Sequence, residues 1–399
     1  MKFLNIIDDR FDELLNRLEM LSNINTHTYN LLGLDSCIYP LEKMFEELEP
    51  DESKQIELNA VPFIDFDGEQ KDQRYGRILR LRKRQNAETK ILLCGHYDTV
   101  YPKDHDFQKV TINGNKMMGP GVLDMKGGLM TMLYALLVYE NSDIKNKVGW
   151  EVLILPDEEV GSIASSSYLE TSAKNNDIGL LYEPALPDGS IVKSRKGVGS
   201  YTMVFRGVSA HAGRAFNDGL NAFYGVSDFI NWSKNMMEIN KDLIINLGKV
   251  EGGGPNNVVP DLAIARFNAR VSTKKQRTEF EHQLEVFNRR MRKKYPGTEL
   301  HGKFTSPPKP YSTKAKEIVN GLQKCAKQLN MPKIKLVATG GASDGNKLNG
   351  FGLPNIDSLG PIGDGMHSRD EYVLIDSIKQ RTKLSALYLY NITEHNLIF

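Results

Sequence analysis

The 399-residue sequence predicts an α/β fold with a mixed, largely parallel sheet, interrupted by a smaller inserted α+β module. Three observations predict it. The chain is longer than one hydrophobic core normally serves, so two domains are expected. Short apolar runs alternate with helical patterns through the first half, as in parallel-sheet proteins. Between about residues 194 and 306 that rhythm changes and then resumes.

In chain order, "RILRLRK", "KILLCGHYD", "GWEVLILPDEE" and "IGLLYEP" read as strands. "GGLMTMLYALLVYE" and "SSSYLETSAK" read as helices between them. The interrupting segment begins with a strand, "GSYTMVFRG", and a helix, "GLNAFYGVSDFINWSKNMM". Two strands joined across a glycine-rich turn follow, "LIINLGKVEG" and "LAIARFNARVS". The helix "KKQRTEFEHQLEVFNRRMRKKY" and the strand "TELHGKFT" complete it. The order β-α-β-β-α-β is that of a ferredoxin-like module. "SPPKPY" reads as the linker back, followed by a helix, the loop "TGGASDGNK", a strand near "LPNIDSL" and a last helix. The expected division is therefore 1–193 and 307–399 for the α/β domain, with 194–306 inserted.

Composition narrows the function classes. With 51 basic against 50 acidic residues the net charge is +1, which gives no electrostatic reason to expect a nucleic-acid or membrane partner. Cys37, Cys94 and Cys325 are scattered, with no CxxC pair, as expected in a reducing compartment. The opening "MKFLNIIDDRFDELLNRLEML" breaks its apolar residues with charges, unlike a signal peptide. The most apolar helical segment, Leu129 to Tyr139, falls short of the ~20 residues of a membrane span. A cytoplasmic protein is expected.

Metal-ligand residue types recur where presumed strands end. His96 and Asp98 follow one strand in "GHYDTV", Asp124 lies between glycine-rich turns in "GPGVLDMKGG", Glu158 and Glu159 follow another in "PDEEVGS", and Glu183 ends a fourth in "LLYEPA". Open α/β sheets build their sites at such carboxyl ends. His367, in the glycine-containing "GDGMHSRDEY", lies beyond the inserted module. Singly, each has a plainer reading: a core histidine, a solvated strand end, a helix start with favourable acids. Together, two imidazoles and three carboxylates suit divalent zinc, cobalt or manganese. Five side chains exceed one open tetrahedral site and suit two metals sharing a carboxylate. One of the paired glutamates is then free as general base.

The segments "GHYDTVYP", "GPGVLDMKGG", "PDEEVGS", "YEPA", "SAHAG", "NVVPD" and "GDGMHSRDEY" resemble the zinc-dependent family of glutamate carboxypeptidase (carboxypeptidase G type), aminoacylases, acetylornithine deacetylase and succinyl-diaminopimelate desuccinylase. They run from His96 to Tyr372 in the family's order. The resemblance implies a di-zinc exopeptidase-type catalytic domain carrying a lid that also dimerises. His96 and Glu183 would hold one zinc, Glu159 and His367 the other, with Asp124 bridging. Glu158 would be the acid/base toward a water between the metals, and Asp98 would orient His96. The Asp124–Met125 peptide is expected to be cis, as in relatives. Asp157 acquires no role and is expected to be solvated.

The resemblance also reaches the module. His211 in "VSAHAGRAFNDG" matches the histidine that enters the partner subunit's site and polarises the scissile carbonyl. Asn257 in "PNNVVPD" matches an asparagine that faces substrate. By alternation Arg266, Asn268 and Arg270 share one strand face, and Arg270 matches an arginine expected to pair with a substrate carboxylate. Plainer alternatives are a turn histidine for His211 and a surface ion pair for Arg270. Gly340 and Gly341 match a loop that leaves room for the substrate's α-carboxylate. One departure stands out: where the carboxypeptidase G group has an arginine–proline pair after the last module strand, this chain has "TSPPKP", and the nearest basic residue is Lys309.

The expected activity is hydrolysis of an amide next to a C-terminal amino acid, on a small peptide or N-acyl amino acid, by a homodimer with two zinc ions per subunit. An N-deacylase of the acetylornithine, succinyl-diaminopimelate or aminoacylase type is the alternative. A catalytically inert binding relative is the reading from a different class, opposed by the presence of all five ligands and Glu158.

Overall fold

The computed structural model describes residues 2–395. Helices α1 (Phe11–Ser22) and α2 (Leu31–Glu46) lead into strands β1 (Glu52–Ile56), β2 (Ile78–Lys83) and β3 (Thr89–His96). Helix α3 (Lys126–Glu140), strand β4 (Val148–Leu155), helix α4 (Ser166–Asn175) and strand β5 (Ile178–Leu181) follow. Every residue of α3 is buried, because α1 and the last helix of the chain pack on it as well as the sheet. A helix enclosed on all sides need not be amphipathic, which explains the unbroken apolar run of "LMTMLYALLVY".

The interrupting segment contributes β6 (Gly197–Arg206), α5 (Phe223–Ile239), β7 (Ile244–Gly252), β8 (Leu262–Val271), α6 (Lys274–Lys294) and β9 (Glu299–Ser306). Its antiparallel sheet runs in the order β7-β8-β6-β9. Alternation along the strands divides its faces. Met203, Phe205 and Phe267 point to α5 and α6 and meet Phe229, Phe280 and Phe287 in a core of their own. The opposite face presents Ser200, Thr202, Arg266, Asn268 and Arg270.

The chain returns through α7 (Thr313–Gln328), α8 (Asp344–Gly350), β10 (Asn355–Ile356) and α9 (Ile375–His395). The main sheet has the order β1-β2-β4-β3-β5-β10. Its β4-β3, β3-β5 and β5-β10 pairs are parallel, while β1-β2 and β2-β4 are antiparallel. It is thus mixed and mainly parallel, as the sequence predicts.

The segment read as a loop, "TGGASDGNK", instead ends strand Leu336–Thr339 and starts α8, with Ser343 as a capping-box residue. The hairpin of Val61–Ile64 and Gln70–Gln73 escaped the sequence reading. It packs Ile64 against Val204 and Ile264 on the open face of the module. No helix among the described residues is long and apolar enough to cross a membrane.

Candidate metal centre and substrate cleft

The centre is built where β3, β4 and β5 end side by side. The parallel registers place His96 beside Leu155 of β4, two residues before Asp157, and Cys94 beside Leu181 of β5, two before Glu183. Asp124 is delivered by the turn before α3, and the Asp124–Met125 peptide is cis. Two glycines shape that turn, Gly128 letting it approach the end of β5 and Gly127 letting it close on itself. A Cβ on Gly128 would lie 2.0 Å from the Tyr182 carbonyl oxygen, and one on Gly127 2.3 Å from that of Val122. His367 comes from the loop before α9, at φ 62°, uncommon outside glycine.

Asp124 faces two imidazoles with two different oxygens. Its Oδ1 is 3.2 Å from His96 Nε2, and its Oδ2 is 3.3 Å from His367 Nε2. Glu159 Oε2 lies 3.2 Å from His367 Nε2, and Glu183 Oε2 lies 3.9 Å from His96 Nε2. Nitrogen and oxygen ligands about 2.0–2.1 Å from a tetrahedral ion stand about 3.3 Å apart, so these separations fit two ions bridged by Asp124. Glu158 also comes near His96 and Glu183. Position alone would admit it as a ligand; the contact with His367 distinguishes Glu159.

The electrostatics point the same way. Burial, then neighbouring negative charge, pushes Glu158 well above the usual carboxylate range; burial and Asp124 push Glu159 to about 7. Burial likewise raises Glu183 to about 8. Burial also works to raise Asp124, but the two imidazoles overcome it and hold that carboxyl low. Contacts with Asp124 and Glu159 raise His367 to about 11. Without cations, these carboxylates take up protons or lean on the imidazoles; divalent ions relieve both.

Around the ligands sits a buried supporting layer. His96 Nδ1 is 3.1 Å from the Asp98 carbonyl oxygen and 3.3 Å from its Oδ1, acceptors that leave Nε2 toward Asp124. Asp98 further accepts from Thr28 Oγ1 at 2.6 Å and from the Glu158 and Glu159 amides at 3.2 and 3.3 Å. Asp157 is not solvated, contrary to expectation. It is fully buried and accepts from the amides of Ala164 and Ser165 and from the Ser165 hydroxyl, folding the "DEEVGS" turn back on itself.

Glu371, unassigned from sequence, is 1% exposed. It accepts from the amides of Leu123, Asp124 and Gly121 at 2.9, 3.1 and 3.2 Å and from the Tyr101 hydroxyl at 2.6 Å. It thereby ties the Asp124 turn to the His367 loop. The available signal was an acid four residues after a candidate ligand. Lys347 similarly donates to the carbonyls of Gly161 and Ser162.

Above the centre, a cleft of about 370 Å³ brings Glu158, Glu159 and His367 together with Arg270, Asn268 and Gly341. Arg270 donates to the Gly340 carbonyl at 2.7 Å, and no carboxylate of the described residues pairs with it. Cβ atoms on Gly340 and Gly341 would meet nothing closer than 3.7 Å, so these glycines leave open space.

Lys309 is not in this cleft. It is 2% exposed with Nζ 2.9 Å from Asp357 Oδ2, and Arg195 donates to both oxygens of the same carboxylate. His211 and Asn257 also lie outside it. They are exposed on adjoining module loops, joined by the His211–Val258 bridge and the bond from the Ala212 amide to the Asn257 carbonyl.

An open α/β sheet with a two-metal carboxylate–imidazole centre at its strand ends, roofed by a separate module, defines a metal-dependent hydrolase. The chain belongs to peptidase family M20/M25/M40, whose model matches residues 92–391. It is 29% identical over 302 residues to carboxypeptidase G2 of Pseudomonas sp. (strain RS-16), covering 74% of this chain and 72% of that one. It is 25% identical over 327 residues to succinyl-diaminopimelate desuccinylase of Pelagibacter ubique (strain HTCC1062), covering 77% and 83%. A tripeptidase structure from Staphylococcus aureus subsp. aureus mu50 superposes with a TM-score of 0.72 at 23% identity, over 96% of this chain and 99% of that one, a likeness of fold alone. The chain is thus a metallo-hydrolase with the dinuclear site typical of its family.

Proposed function

We propose that the chain is a zinc-dependent exopeptidase that hydrolyses the amide next to a C-terminal amino acid. One arrangement carries this reading: two of the candidate ligands, Glu159 and His367, an adjacent glutamate outside the His367 contact, and a guanidinium with no carboxylate partner among the described residues share a single cleft, beside Asp124. His96 and Glu183 would hold one ion, His367 and Glu159 the other, and Asp124 both. When bound, such ions supply Lewis acidity to an amide carbonyl and acidify water.

Glu158 takes the proton from the attacking water and returns it to the leaving nitrogen. Asp98 holds His96 in the tautomer that a ligand needs. Arg270 receives the free carboxylate of the released residue, with Gly340 and Gly341 leaving room beside it. Residues 1–193 and 307–399 form the catalytic domain and 194–306 the lid. His211 and Asn257, away from their own chain's cleft, serve the partner's site in a homodimer, where His211 donates to the developing oxyanion. Three buried, unpaired thiols support a cytoplasmic location.

The similarity to the desuccinylase favours a second reading, an N-deacylase using the same centre. Amino-acid release from N-acyl amino acids, α- and γ-linked dipeptides, N-acetylornithine and succinyl-diaminopimelate separates the two. Turnover across blocked C-terminal amino acids supports the exopeptidase. Turnover confined to the last two substrates contradicts it.

A further inference from the structure

The hairpin at residues 61–73 belongs to the catalytic domain by its place in the chain, yet its partners are in the module. Arg266 Nη1 and Nη2 donate to the carbonyls of Ile64 and Asp65 at 2.7 and 2.8 Å. Arg206 Nη2 donates to the Gly68 carbonyl at 2.9 Å and to Glu69 Oε1 at 3.1 Å. Ile64 is buried with Val204 and Ile264, and a Cβ on Gly68 would stand 3.2 Å from Val204 Cγ1. The other side-chain hydrogen bonds and the Asp65–Lys71 ion pair stay within residues 61–74. Two strands of four residues have little stability of their own, so whatever packs on them keeps them folded. Here that is the module.

The attachment to the catalytic domain is slight. Ile56 of β1 and Ile78 of β2 are register partners, so the hairpin leaves and returns at one corner of the main sheet. Residues 57–60 and 74–76 are irregular and make no backbone–backbone hydrogen bond among the described residues. Segments of that kind open readily and absorb dihedral change. The grip is also far from the joint. β6 enters the module at Gly197, and Arg206 is its last residue, about 30 Å further along. At that radius a rotation about the joint displaces the clasped carbonyls further than a hydrogen bond can stretch.

Resting on the reading of the module as a lid, we infer that residues 61–73 form a strap that travels with it. Arg206 and Arg266 are the clasp, and residues 57–60 and 74–76 are the pivots. A groove of about 580 Å³ lies between Pro62 and Phe63 of the strap and the module's open face, and only its Ile163 edge comes from the catalytic domain. That groove keeps its width as the cleft beside Glu158 opens and closes.

The test uses full-length, metal-loaded protein carrying pairs of spin labels, diluted with unlabelled protein. Phe66→Cys marks the strap, Val286→Cys the module and Leu32→Cys the catalytic domain, all three positions being exposed. The strap–module distance distribution should be narrow, and the strap–catalytic one as broad as the module–catalytic one. With a broad module–catalytic distribution, a strap–catalytic distribution no broader than the strap–module one would overturn the inference and leave the lid reading intact. A narrow module–catalytic distribution would contradict the lid reading instead, and hydrogen exchange then decides the strap. Arg206→Ala combined with Arg266→Ala should speed exchange of the Asp65 and Glu69 amides at least tenfold and leave β3 unchanged. Unaltered exchange at those amides would overturn the inference.

Discussion

The floor of the cleft and its roof are built on opposite plans. In the floor, the candidate ligands stand on a closed polar layer: Asp98, Asp157 and Glu371 each accept several hydrogen bonds, and each is 1% exposed or less. In the roof, Arg270 has no acidic partner among the described residues, and His211 and Asn257 are exposed. A floor of that kind fixes reacting groups before substrate arrives; a roof of this kind is completed by something outside the chain. The difference assigns the reaction class to the floor and the choice of substrate to the roof.

Substitutions can break that division, beginning with the largest expected effect. Glu158→Gln should lower kcat by about 10²–10⁴-fold, the usual worth of a positioned acid/base; near-normal turnover would place the base elsewhere. Asp357→Asn tests the joint between the halves, because it leaves Arg195 and Lys309 buried without their carboxylate. We expect a loss of about 3–5 kcal/mol in stability, read by urea unfolding.

Acid should reach the same joint. Burial works to raise the Asp357 carboxyl, but Arg195 and Lys309 hold it below the usual carboxylate range. A lowered folded pKa adds stability above the unfolded pKa near 3.8 and loses it as pH falls toward the folded value. Between pH 5 and 2.5, wild-type Tm should therefore fall more steeply than that of Asp357→Asn.

Smaller effects separate floor from roof. Glu371→Gln should weaken metal binding by about 10–100-fold, the usual cost of losing an outer partner, and shift the visible spectrum of the cobalt-loaded protein. Arg270→Ala should raise KM roughly tenfold or more while leaving metal content and most of kcat, since a charge-assisted bond is worth about 1.5–3 kcal/mol. His211→Ala sharpens the comparison further. Mixing it with Glu158→Gln should regain activity, because a mixed dimer has one site with both groups. No recovery would return His211 to its own chain.

The floor was legible because its residues sit at the ends of elements within short segments: His96, Glu159 and Glu183 at or just past strand ends, and Asp124 just before α3. His367 was legible only as a motif, since nothing local says that its loop returns to the same point. Asp157 and Glu371 were misjudged or missed for a common reason. Their partners are backbone amides, which no residue type announces, and those of Glu371 lie some 250 residues earlier. In the roof, alternation correctly placed Arg266, Asn268 and Arg270 on one face. It could not tell that Arg266 is spent on the hairpin, or that Lys309 turns inward, because both depend on long-range packing.

The central claim is that two adjacent glutamates divide the work, Glu159 holding metal and Glu158 moving the proton. Metal stoichiometry of the purified Glu158→Gln and Glu159→Ala proteins, measured alongside wild type after identical loading, tests it most directly. The account predicts two ions per chain in Glu158→Gln, as in wild type, and fewer in Glu159→Ala. Equal loss in both variants, or loss confined to Glu158→Gln, would contradict it.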